Sequence, residues 1–195
     1  MQFNLLGIPV RLSFYFFLIT TLFLLADTTG TVLFVLSAAF IHEMGHILAM
    51  ALLKAPILLL DFTPFGLKIT RGEHLVSYRC EAVISLAGAG ANLLAAGLLA
   101  LLARQSFGAL YLSAVNLVVG VFHLLPIRGL DGGKVVAELL TLRLSPAAAR
   151  TAAGAVSLVF LGLLCLLAAR LWLGGKANLS LMVMLVYFIA FFFKG

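Results

Sequence analysis

Charge is what this chain has least of. Asp, Glu, Lys and Arg make up 10% of its 195 residues, against 64% apolar side chains and a mean hydropathy of +1.20. A soluble domain carries roughly 25% charged and about 45–50% apolar residues. A soluble fold of this length cannot hide so much apolar surface, so an ordinary cytosolic enzyme and a disordered tail are both excluded. Cysteine is scarce too. Cys80 and Cys165 fall in different segments, which excludes a disulfide framework and a thiolate metal site. The net charge is +6, yet there is no Lys/Arg run and no interleaving of basic with aromatic residues, so no nucleic-acid partner is expected. A basic leader with a small-residue cleavage site is missing as well, so no cleavable signal peptide is expected. What remains is a small polytopic membrane protein. It is expected to form one membrane-embedded domain over residues 1–195, with no appended soluble domain.

Six apolar segments are present, at 12–26, 31–53, 80–103, 107–125, 151–173 and 179–193. A helix needs roughly 20 residues to cross about 30 Å of hydrocarbon. The first and sixth segments are short by that measure. The expected fold is an all-α polytopic membrane protein with about six transmembrane helices. Six spans would put Arg11, Lys54, Lys68, Arg71, Arg79, Arg128, Lys134, Arg143, Arg150 and Lys194 on the side of the termini. Arg104, Arg170 and Lys176 would lie on the other side. The excess of basic residues then places both termini of this integral membrane protein in the cytoplasm. Two stretches do not read as spans. Residues 1–12 carry Gly7 and Pro9, and residues 57–78 are β-prone but broken by Pro64, Gly66 and Gly72. Together they predict a small β-rich element at the cytoplasmic surface. Residues 134–144 predict a short amphipathic helix ended by Ser145-Pro146.

The chemistry lies in the second segment, which reads His42-Glu43-Met44-Gly45-His46. Residues four apart share a helix face, so both histidines can bind one metal ion. Glu43 is placed to reach a water on that ion, which is the HExxH pattern of zinc hydrolases. With four histidines and four glutamates in the chain, on the order of 0.002 such matches arise by chance. The bland alternative is a pair of interfacial histidines beside a chance Glu. An unpaired carboxylate inside an apolar segment is costly, which weighs against it. A catalytic zinc needs a third protein ligand and an open position. Of the seven acids, Asp131 stands apart, in Leu130-Asp131-Gly132-Gly133 just after Pro126 breaks the fourth segment. On its own it also reads as a turn or helix-cap Asp. A zinc pair lacking its third ligand favours Asp131 as that ligand.

These motifs resemble the site-2 protease family of intramembrane zinc metalloproteases. HExxH in the second segment and LDGG after the fourth carry the likeness. Ser85-Leu-Ala-Gly88-Ala-Gly-Ala-Asn92 is similar to that family's SxxGxxxN element. The six-span layout, GIPVRLSF near the start and Pro64-Phe65-Gly66 resemble the branch of stage IV sporulation protein FB and its relatives. The likeness runs to about residue 140. It implies that His42, His46 and Asp131 hold Zn2+, that Glu43 is the general base, and that Asn92 lies near the active site, contacting substrate or an orienting water. Helix–helix hydrogen bonding is the other reading of Asn92, and close helix packing is the reading of Gly88 and Gly90. One departure stands out. Relatives often read FNLLPxxPLDGG, whereas here His123 stands in the Asn position and Gly129 in a Pro position. His123 can still donate or accept beside the substrate, or it can compete as a zinc ligand. Asn116, on the same segment, reads as a helix-packing polar group. His74 reads as a solvated loop residue and Trp172 as an interface anchor.

The expectation is therefore an intramembrane zinc metalloendopeptidase acting on a membrane-associated protein, with its metal below the cytoplasmic surface and reached by a polar path. A sigma-factor pro-sequence is one substrate implied by the resemblance, as part of regulated intramembrane proteolysis in sporulation. The surface strands offer a way to hold a peptide by strand addition. Further partners in view are the lipid bilayer, a regulatory membrane protein and a second copy in a homo-oligomer. Relatives in the sporulation branch can carry a C-terminal CBS domain. This chain ends just past its sixth segment, so such regulation is expected to be absent or supplied by another chain. The rival functions are a metal-binding transporter or channel, and an inactive relative that binds membrane partners.

Overall fold

The computed structural model describes residues 2–5, 8–63, 66–71, 77–103, 106–175 and 178–194. The expectations on Gly7, Pro64, Phe65, Gly72 and His74 lie outside these residues. In chain order the elements are β1 (Gln2–Leu5), β2 (Ile8–Leu12), α1 (Phe14–Ala26), α2 (Thr31–Leu52), β3 (Ile57–Thr63) and β4 (Gly66–Arg71). Then follow α3 (Tyr78–Leu102), α4 (Phe107–His123), α5 (Asp131–Thr141), α6 (Pro146–Leu173) and α7 (Leu179–Lys194). Most of each of the six apolar segments falls in a helix. Three of these helices, α2, α3 and α6, are long and apolar enough to cross a membrane. The apolar helices α1, α4 and the 181–193 stretch of α7 are shorter.

The chain divides into two compact units, residues 1–76 with 87–120, and residues 77–86 with 121–195. The first holds the sheet, α1, α2 and most of α3 and α4. The strand order is β1-β2-β3-β4. β1 and β2 form an antiparallel hairpin, as do β3 and β4. β2 and β3 run parallel, with Val10 opposite Leu60 and Arg11 opposite Asp61. A parallel pair needs a crossover, and here α1 and α2 supply it. Val10 and Leu60 are buried. α1 is apolar on every side and has no buried residue, as a helix facing lipid requires.

α2 begins where Asp27 caps it from outside. The Asp27 carboxylate accepts hydrogen bonds from the Val32 amide at 2.7 Å and from the Thr29 amide and hydroxyl at 2.9 and 2.8 Å. Gly30 takes the left-handed turn between them, at φ 74°. α2 packs closely on α3 through Gly45, where a Cβ would strike the Ala87 carbonyl and the Ala91 side chain. α3 in turn lies close to α4 at Gly120, where a Cβ would meet Ala89 and Asn92 at 3.2 Å. Small residues at such crossings let helices approach in an apolar medium, where dispersion and interhelical hydrogen bonds hold them together.

The second unit is built around Ile127, Leu130, Leu161 and Phe188, with Phe122, Leu125, Phe160, Leu164, Met184 and Phe192 against them. Pro126 ends α4, and the turn that follows is pinned to α6 by the Arg128 amide donating to Ser157 Oγ at 2.8 Å. The Arg128 guanidinium lies over the Phe192 ring, 5.0 Å from its centre. α5 starts at Asp131, three residues earlier than the amphipathic pattern predicts. Its first turn sits so close to the preceding chain that a Cβ on Gly132 or Gly133 would fall on the carbonyls of Leu124 and Ile127. α6 begins at Pro146 rather than near 151. Ser145 caps it by accepting from the Ala148 amide at 3.3 Å, and proline is favourable in a first turn. Ser145-Pro146 therefore starts one helix as well as following the last.

Candidate metal centre and active site

α2 carries His42, Glu43 and His46 within little more than one turn of an apolar helix. His42 is 3% exposed and His46 9%. Their Nε2 atoms lie 3.1 Å apart and their rings meet edge to face. Two histidines on one zinc, each at about 2.0–2.1 Å in tetrahedral geometry, place their nitrogens about 3.3 Å apart. The pair therefore fits a divalent metal by spacing and by donor type. Glu43 is half-buried beside them.

α3 shapes the space around these rings. Gly88 stands where any side chain would collide, since its Cβ would fall on His46 Nε2 and the His42 Cε1 edge. Gly90, two residues on, faces open space within 4 Å. The close-packing expectation thus belongs to Gly88 and not to Gly90. One turn after Gly88, Asn92 is fully buried. Its Oδ1 is 2.8 Å from His42 Nδ1, and its Nδ2 donates to the Ala38 carbonyl at 2.9 Å and to Asn116 Oδ1 at 2.8 Å. Asn116, also fully buried, donates its own Nδ2 to the Leu112 carbonyl at 2.9 Å. Ser113 adds a bond to the Ala96 carbonyl at 2.7 Å. Asn92 therefore links three helices and touches a ring of the histidine pair.

In the second unit, Asp131 occupies the first turn of α5 and is 4% exposed. The positive end of the helix dipole favours a carboxylate there. His123 Nδ1 lies 3.1 Å from Asp131 Oδ2, and Lys134 Nζ lies 2.9 Å from Asp131 Oδ1. Asp131 and His123 are thus neighbours, and the His123 side chain keeps 32% of its surface exposed. Lys134 is a partner that the sequence reading did not single out. Its spacing of three from Asp131 on a helix is the signal that finds it. Further along, Ser85 donates to Glu138 Oε1 at 3.3 Å. Cys80 and Cys165 are both free thiols.

No protein-family model matches the chain, and no curated protein does. A site-2 protease from Methanocaldococcus jannaschii is similar in structure, with a TM-score of 0.67 over 96% of this chain and 91% of that one, at 19% identity. At that identity the likeness is one of architecture, and it establishes that this chain has the site-2 protease fold.

Proposed function

We propose that this protein is an intramembrane zinc metalloprotease. The observation that carries the reading is the pair of buried imidazole nitrogens on α2, at metal-ligand spacing, with Glu43 between them in the chain. Asp131 is the third ligand in this reading. Its support is a buried carboxylate at the head of α5, where His123 and Lys134 hold both oxygens in a set orientation. His123 then acts beside the metal, steering Asp131 or the substrate backbone, in place of the usual Asn.

When bound, zinc would polarise a peptide carbonyl and bring a water's pKa toward about 7. Glu43 takes the proton of the attacking water and passes it to the departing amine. Asn92 holds His42 in place, and Gly88 keeps room for both rings. The substrate is a peptide in or near a membrane segment, unwound locally so that its carbonyl is accessible. The edges of the four-stranded sheet are suited to bind it as an added strand. In this reading both termini face the cytoplasm, the whole of 1–195 works as one catalytic domain, and a membrane-associated sigma-factor pro-sequence is the substrate type favoured by the resemblance to the sporulation branch. A regulatory membrane partner and a homo-oligomer fit the same reading.

The test is zinc content together with cleavage of co-expressed membrane proteins, compared between wild type and Asp131→Ala. Zinc near one equivalent in wild type, falling sharply in the variant along with cleavage, is the expected result. A metal transporter predicts metal flux without cleavage, and an inactive relative predicts neither.

A further inference from the structure

We infer that Asn92, itself oriented by Asn116, is a positioning residue that fixes the tautomer of His42 so that its Nε2 lone pair is held ready for the metal. The placement of the hydrogens decides the tautomer. The Leu112 and Ala38 carbonyls can only accept. Asn116 must therefore turn its Nδ2 to Leu112, which leaves its Oδ1 facing Asn92. Asn92 spends both hydrogens of its Nδ2 on Asn116 Oδ1 and the Ala38 carbonyl. Its Oδ1 is then the only atom it can present to His42, 2.8 Å away. An amide oxygen can only accept, so His42 Nδ1 carries the hydrogen. The neutral ring consequently has its lone pair on Nε2, the atom that lies 3.1 Å from His46 Nε2.

The relay starts at backbone carbonyls, which cannot flip, and runs through two fully buried amides. Both amides are closed off from bulk solvent, so the orientation is enforced rather than averaged. Free imidazole has no such preference for Nδ1–H. A hydrogen-bond partner on the non-ligating nitrogen is the general way in which a metal-bound histidine is oriented.

The inference rests on the metalloprotease reading only for its link to zinc, and its test separates the two. In metal-free protein labelled with 15N-histidine, the His42 ring is expected to show the Nδ1–H tautomer. The Nε2–H tautomer in wild type overturns the inference, whatever the zinc result. Zinc affinity is then measured by chelator competition. Asn92→Leu is expected to weaken zinc about 10–100-fold, the usual effect of removing such a partner. Asn92→Asp keeps an acceptor for Nδ1–H while losing both donations, and is expected to recover most of that affinity. A helix-packing role alone predicts the reverse: Asn92→Asp as impaired as Asn92→Leu, with the tautomer unchanged in both. Absence of zinc from wild type would defeat the metalloprotease reading while leaving the tautomer result to stand or fall alone.

Discussion

At the scale of single residues, the environment of the paired histidines depends on two positions one turn apart on α3. Gly88 is there because a methyl group would occupy the imidazole space, and Asn92 because His42 needs an acceptor. Gly88→Ala is expected to lower zinc affinity roughly 10-fold or more, by pushing the rings off their spacing. Gly90→Ala, which meets open space, should leave it unchanged. Chelator competition on both variants checks this. The HExxH residues were legible from spacing alone, because helix periodicity dictates that positions four apart converge. Asp131 was legible as a conspicuous acid. The Asn92–Asn116 relay was not, because which buried amides meet depends on how helices distant in sequence cross. Asp27 lies outside the apolar segments, in the turn between α1 and α2. The Val32 amide, then the Thr29 amide and hydroxyl, hold its carboxyl below the usual aspartate range. Such a group stabilises the start of α2 while it is ionised, above its ordinary range, and that contribution is lost as pH falls through the lowered value. The Val32 amide proton resonance should therefore move with a midpoint below that of a free aspartate, and Asp27→Ala should abolish the transition.

At the scale of elements, the apolar runs gave all six hydrophobic helices, since a segment of that composition has no stable alternative in lipid. The strands were legible from β-prone residues punctuated by glycine and proline. Their pairing was not, because the parallel contact of β2 with β3 joins residues separated by two helices. The start of α5 at Asp131 escaped the amphipathic pattern because Gly132 and Gly133 carry no hydrophobic signal. Their role is steric: they let the first turn lie on the carbonyls of residues 124–127. Gly132→Ala should therefore destabilise the fold by about 1–3 kcal/mol, because backbone atoms cannot step aside as a side chain would. Thermal unfolding in detergent measures it. A shift no larger than that of Gly162→Ala, which meets nothing within 4 Å, would show that the close approach does not matter.

At the scale of the whole molecule, scarcity of charge organises the protein. Apolar side chains stay exposed along α1, α3 and α6, as in Phe23, Leu98 and Leu166, which is the surface that a bilayer covers. Against that background His42, Glu43, His46, His123, Asp131 and Lys134 are the ionisable groups with a place in the proposed chemistry, while Glu81, Glu138, Arg150 and Arg170 lie on the same or other helices without one. Fold similarity to a site-2 protease at 19% identity supports that reading through architecture, while the donor geometry supports it through chemistry. Glu43 is the residue that separates proteolysis from metal binding alone. Purified wild type and Glu43→Gln should be compared for bound zinc and for cleavage of a membrane-embedded substrate. The account predicts equal zinc in both proteins and cleavage only in wild type. Cleavage that persists in Glu43→Gln, or wild-type protein that binds no zinc, would contradict it.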